Sequence, residues 1–110
     1  MHDIPEADWK VFRRVHAVTL ARFCEQVLAE AERLAKEGGR SPHERYRELY
    51  TLIKERDKKM GRLFDNPRRS AAVHMLAQLR GEGLLPEEEF STLTPGTRAA
   101  VELVQDGLFG

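Results

Sequence analysis

The chain has 110 residues, which is enough for one domain with a modest core and too few for two. Its 18 Lys and Arg residues balance 18 Asp and Glu residues, so we do not expect nucleic acid as a bulk electrostatic partner. A single cysteine excludes an internal disulfide and favours a reducing compartment. No signal peptide and no apolar run of roughly 18 residues is visible, so we expect a cytoplasmic protein without membrane contact.

The first predicted helix covers residues 1–37 and stops at the glycine pair 38–39. Its main apolar stripe has helical spacing and consists of Trp9, Phe12, His16, Leu20, Phe23, Val27, Ala31 and Leu34. A second stripe on a neighbouring face consists of Val11, Val15 and Val18. Such a helix would be roughly 50 Å long at about 1.5 Å per residue, which exceeds what a compact domain of this size can span. It should therefore bend or break near residues 15–19, or project and pair with another copy through the valine stripe.

A second helix is predicted to start at Ser41, where Pro42 and Glu44 complete a capping-box pattern. Its apolar stripe consists of Tyr46, Leu49, Tyr50, Ile53, Met60 and Phe64. Asp57 occupies the gap in that stripe, and a carboxylate that faces a core must be paired or hydrogen-bonded. Residues 65–67 are expected to end this helix and cap the next one.

The third helix is predicted over residues 67–80, beside the second helix in a central hairpin. The tight turn would place Arg68 or Arg69 over Asp57 or Asp65. An arginine fork can hold a carboxylate with two bonds, so the first interpretation is a structural clamp across the hairpin. The alternative is that one of these arginines binds an anion, assisted by the positive end of its helix.

A ligand-binding pocket is another interpretation of the polar residues within these stripes. Its candidate lining is His16, Tyr46, Asp57, Arg68 and Arg69. The same side chains could instead satisfy one another, and His16 on an apolar face is typical of a hydrogen-bonded core histidine. No metal-ligand spacing, phosphate loop or nucleophile motif occurs. We therefore assign no catalytic residue, no metal site and no cofactor, and the pattern favours a protein that is not an enzyme.

Two shorter helices are predicted after residue 83, which makes the whole chain, residues 1–110, one compact all-α bundle of four to five helices. Residues 40–83 carry eleven Lys and Arg against six acids, whereas residues 84–110 carry one Arg against five acids. We expect the acidic tail to pack near the basic middle, or copies of the chain to pair through these faces. Weak nucleic-acid binding through the basic residues 54–69 is the remaining alternative.

Residues 76–90 contain Leu76-x-x-Leu79 followed by the run Gly83-Leu84-Leu85-Pro86-x-Glu88-Glu89-Phe90. This piece resembles the SHOCT motif, a small α-hairpin found at protein ends, and the resemblance implies oligomerisation rather than chemistry. The helix that follows departs from the usual basic stretch of that motif.

The motifs W-x-x-F at 9–12, H-E-R-Y at 43–46, R-D at 56–57, F-D at 64–65 and R-R-S at 68–70 together resemble a group of short uncharacterised bacterial proteins. This resemblance implies an all-helical fold and a polar cluster, and it implies no reaction. The function hypothesis is a small helical protein-interaction module that binds itself, as a homo-oligomer, or another protein.

Overall fold

The computed structural model describes residues 4–109, and within that range it contains helices and no strand. The elements are α1 Glu6–Ala35, α2 Pro42–Phe64, a 3-10 turn Arg69–Ala71, α3 Ala72–Gly81, α4 Glu87–Phe90 and α5 Pro95–Phe109. The predicted all-α class with a long N-terminal helix is confirmed. Of the predicted first helix, residues 1–3 lie outside the described range.

Helix α1 runs unbroken for 30 residues, so the segment 15–19 does not interrupt it. Thr19 is buried there and donates its hydroxyl to the Val15 carbonyl at 2.7 Å, which satisfies the hydroxyl inside the helix. The helix instead projects beyond the rest of the molecule, which is the other predicted outcome. The molecule measures 53 × 24 × 22 Å, and its radius of gyration of 16.8 Å exceeds the roughly 13 Å of a compact domain this long.

Helix α2 begins with the predicted capping box, in which the Glu44 N–H donates to the Ser41 hydroxyl at 3.2 Å and the Ser41 N–H donates to the Glu44 carboxylate at 3.1 Å. The helix then runs back along α1, and its Arg56 pairs with Glu30 at 3.1 Å. The main hairpin of the molecule is therefore α1–α2. Because the chain turns at Asn66, with a φ of 54°, α3 leaves that hairpin and lies mainly against α5.

The hydrophobic core is concentrated at one end of the molecule, which we call the body. Its fully buried residues surround α3, and they include Phe12, Val15, Leu76, Leu79 and Val101. No residue from 24 to 62 is buried. We call this segment, the outer part of the α1–α2 hairpin, the arm.

The acidic C-terminal part pairs with the rest of the chain at two arginines. Arg80 lies 3.1 Å from Glu87 and 3.9 Å from Glu102, and Arg22 of α1 pairs with Glu89 at 2.7 Å. The expected packing of the tail near the basic middle is thus observed at Arg80. The remaining basic residues of the middle segment lie mostly along α2.

The turn after α3 depends on Gly83, which has a φ of +75°. We expect Gly83→Ala to lower the free energy of unfolding by about 1 kcal/mol, because a side chain is disfavoured in the left-handed region. Gly39→Ala is the matched control, since Gly39 also lies in a turn, has no such φ and has open space at the Cβ position. Urea unfolding of both variants measures the difference. Equal losses in the two variants would contradict this role of Gly83.

Candidate interaction surface

The five predicted ligand residues do not line a common pocket. His16 and Arg69 lie at the body and have structural partners there: His16 Nε2 is 2.9 Å from the Phe64 carbonyl oxygen, and Arg69 donates to the Ile4 carbonyl at 2.9 Å. Tyr46 and Asp57 lie exposed on the arm, and Arg68 is exposed in the turn before α3.

The predicted Asp–Arg clamp is wrong. Arg69 pairs with Glu6 at 2.8 Å instead, and among residues 4–109 the structure places no ion pair between either arginine and Asp57 or Asp65. The physical reason is the length of α2. Its 23 residues extend about 35 Å, well past the body, so the middle of its apolar stripe faces no core of its own chain and Asp57 needs no partner there.

The predicted interface stripe on α1 is wrong at its centre. Val15 is only 2% exposed and belongs to the core, so it is not accessible to a second protein. Val11 is partly buried against that core, and Val18 is half-buried. This stripe faces the body, which the sequence could not show before the packing of α3–α5 was known.

Asp8 is the buried carboxylate that the sequence analysis missed. It is 1% exposed and lies at the first residue of the series 8, 12, 15, 19 and 23, the buried face of α1. Its carboxylate accepts the Thr94 N–H at 2.9 Å and the Thr94 and Thr97 hydroxyls at 2.5 Å each. Asp8 therefore caps the N-terminus of α5 from another helix.

The charge state of Asp8 follows from these contacts. Burial raises the pKa of its carboxyl, but the hydrogen bonds from the side chains of Thr94 and Thr97 and from the Thr94 backbone outweigh burial and hold the pKa below the ordinary 3.8. Asp8 is thus a structural anion that no ligand can reach.

One face of the arm carries several exposed apolar side chains. On α2, Tyr46 is 68%, Tyr50 63% and Ile53 45% exposed, and on α1 Leu28 is 65% exposed. Between the two helices runs an open groove of about 220 Å³, lined by Phe23, Cys24, Val27, Leu28, Ile53, Arg56, Asp57 and Met60. Asp57 and Arg56 are its charged members.

Two stripes with alternating spacing of three and four residues build this face, which is typical of helices that pack in a bundle. The small stripe on α1 consists of Cys24, Leu28, Ala31 and Ala35 on the arm and continues toward the body with Ala17 and Ala21. The large stripe on α2 consists of Tyr46, Tyr50, Ile53, Asp57 and Met60. Most of the large stripe is visible in the sequence, where its spacing predicts residues of the chain's own core.

The body lies on the opposite side of the hairpin and leaves this face open. Arg22 of α1 donates to the Leu84 carbonyl at 3.1 Å, and Lys59 of α2 pairs with Glu82 at 2.8 Å. Arg22 is one position from Ala21 and two from Cys24, and Lys59 is one position from Met60 and two from Asp57, so both lie about 100° to 200° around their helices from the stripe residues at 100° per residue. The stripes therefore point away from the body, except at Met60, which packs against the core at the inner end of the large stripe.

Neither a metal-binding cluster nor a membrane-spanning helix occurs within the described residues. Residues 4–109 contain no group of three or more His, Cys, Asp or Glu side chains that could hold a metal ion. None of the helices described there combines the length and the apolar character needed to cross a membrane.

Comparison with protein-family models, curated proteins and solved structures finds no match to this chain. The resemblances to the SHOCT motif and to the group of bacterial proteins therefore stay predictions. In the structure, the SHOCT-like segment is α3, a turn that buries Leu84 and Leu85, and α4.

Proposed function

We propose that this protein is a small helical interaction module that assembles with copies of itself through the exposed face of the arm. The observation that supports the proposal is the pair of stripes. Leu28 and Tyr50 are each more than three-fifths exposed, and Leu28 and Ile53 line one groove between the two helices. Contiguous exposed apolar surface of this kind typically marks a protein-interaction site. Tyrosine is also enriched at such sites because its large ring buries area at low entropic cost.

The shape of the arm supports a helical partner. Two helices side by side form one layer, and a layer with an apolar face is stabilised when a second layer covers it. The face is roughly 30 Å long and about 20 Å wide at usual helix dimensions. Its area is therefore comparable to the roughly 800 Å² per partner that stable interfaces bury.

We also propose that the protein is cytoplasmic. Cys24 is exposed within the small stripe, and an exposed free thiol persists in a reducing compartment. The dispersal of His16, Tyr46, Asp57, Arg68 and Arg69 removes the support for a ligand pocket, so the interaction module is the function we retain.

Replacing Asp57 tests whether the large stripe is the interface. A polar residue in a helical seam weakens association, so Asp57→Leu is expected to tighten self-association by about tenfold, measured by sedimentation equilibrium. Asp106→Leu is the matched control, because it also places a leucine on an exposed helix position, on α5 near the exposed Leu103. Equal effects of the two substitutions, or no effect of Asp57→Leu, would contradict an interface at the large stripe.

A further inference from the structure

We infer that the second copy is related by a twofold axis parallel to the arm helices, so that α1 of each copy covers α2 of the other in antiparallel direction. This inference rests on the proposed self-association and adds its geometry. The result is a four-helix bundle in which every neighbouring pair of helices is antiparallel, a common bundle arrangement. Its two apolar layers are identical, as a closed twofold dimer requires.

The small and large stripes of two copies complement each other in side-chain size. Arg56 pairs with Glu30, and Arg45 donates to the Ala35 carbonyl at 2.5 Å, which fixes the heights of α1 and α2 relative to each other. Midway between the registers that these two contacts give, Ala31 lies level with about residue 52 and Ala35 with about residue 48, so Tyr50 and Tyr46 are each within one turn of one of these alanines. A twofold axis parallel to the helices preserves height.

In the dimer, each exposed tyrosine of one copy therefore meets an alanine of the other. Large side chains packed against small ones fill the space between two helices without overpacking. Since the small stripe contains four alanines and a cysteine among its six members, it suits a partner helix with large side chains. The partner that supplies such a helix is the large stripe of a second copy.

The edges of the face complement each other in charge. The edge of α1 that points away from α2 carries Glu25 and Glu32, and the corresponding edge of α2 carries Lys54 and Lys58. When α1 of one copy covers α2 of the other, the acidic edge lies beside the basic edge. Glu25 is then level with Lys58, while Glu32, which pairs with Lys36 within its own helix at 2.9 Å, lies within one turn of Lys54.

The other face-to-face arrangement has its twofold axis perpendicular to the helices, and it loses both forms of complementarity. It would place α1 of one copy on α1 of the other, and α2 of one copy on α2 of the other. Alanines would then face alanines and tyrosines would face bulky side chains, so the two helix pairs would require different separations. The acidic edges would also lie beside each other, and like charges at such positions repel.

The two arrangements differ in where the arm tips lie, which gives a direct test. Gly39 is in the turn at the tip, and open space surrounds its Cβ position. We would attach a nitroxide label to Gly39→Cys in the full chain with Cys24→Ala, confirm its molar mass, and measure the label-to-label distance by pulsed electron paramagnetic resonance. The parallel axis places both tips at the same end, so a distance below about 25 Å is expected from helix spacing and tether length.

A distance near 40 Å would overturn this geometry, because a perpendicular axis places the tips at opposite ends, each about 13 residues of helix from the axis. That result would leave the proposed self-association intact. A labelled protein that stays monomeric, together with a monomeric unlabelled wild type, would instead overturn the proposed function itself. The two failures are therefore distinguishable.

A charge exchange tests the edge contact independently. Glu25→Lys is expected to weaken self-association by about tenfold, because each dimer contains two such contacts. Adding Lys58→Glu to the same chain should restore the wild-type affinity, since the pair is re-formed with its signs exchanged. If the double variant is as weak as Glu25→Lys or weaker, Glu25 and Lys58 do not meet and the parallel axis is contradicted.

Discussion

Asp8→Ala is expected to lower the free energy of unfolding by about 3 kcal/mol, a large part of the stability of a domain this size. The substitution removes the acceptor of three hydrogen bonds and leaves the Thr94 N–H and the hydroxyls of Thr94 and Thr97 without that partner inside the body. It also removes the cap that α1 supplies to α5. Urea unfolding at a fixed protein concentration measures the loss.

Asp106→Ala is the control for this prediction, because Asp106 is an exposed carboxylate on α5 and its removal should change stability by less than about 0.5 kcal/mol. A loss below 1 kcal/mol for Asp8→Ala would contradict the structural role assigned to its carboxylate.

The pH dependence of stability gives a second measurement on Asp8. Its folded-state pKa lies below the ordinary 3.8, so its contribution is fully present above that value and is lost as the pH falls toward the folded-state pKa. The stability difference between wild type and Asp8→Asn should therefore be constant from about pH 5 to 7 and shrink below about pH 4. A difference that grows on acidification would contradict the lowered pKa.

The double substitution Leu28→Glu with Ile53→Glu is expected to weaken self-association by more than about 1,000-fold. Both side chains are exposed in the single chain, at 65% and 45%, so the monomer should stay folded with a helical circular dichroism spectrum. In the assembly, each copy would bury two unpaired carboxylates, which costs several kcal/mol. Sedimentation velocity across a concentration series measures the change.

Leu103→Glu is the matched control, because Leu103 is 74% exposed on α5, away from the arm. It should leave association unchanged. If the control dissociates the assembly and the arm variant does not, the interface lies on α5 and the assignment of the arm face is wrong.

Local sequence signals predicted most of the secondary structure because each arises within a few residues. The capping box at Ser41 and the proline at the start of α2 fix where that helix begins, and the long periodic stripe of α1 required a long helix. Whether α1 would bend or project depended on how much of it the rest of the chain could cover. The three helices after the hairpin, α3, α4 and α5, are too short to cover the whole of α1.

The candidate site was harder to predict because periodicity shows which residues share a face but not what covers that face. Tyr46, Tyr50 and Ile53 have the pattern of core residues, and the structure exposes all three. Conversely, Asp8 has the pattern of a helix-dipole charge at the surface, and the body buries it. The available signal was the position of Asp8 one turn before Phe12 on the buried face. The threonines that donate hydrogen bonds to its carboxylate, however, are 86 and 89 residues away in the chain.

The molar mass of the wild-type protein in solution tests the central claim most directly. Multi-angle light scattering behind a sizing column, at micromolar concentration, is expected to give about twice the chain mass of 12.6 kDa, because the proposed second copy would cover the arm face. A mass equal to one chain at every concentration up to about 1 mM would contradict self-assembly through the arm. A specific interface of this area should associate more tightly than that concentration implies.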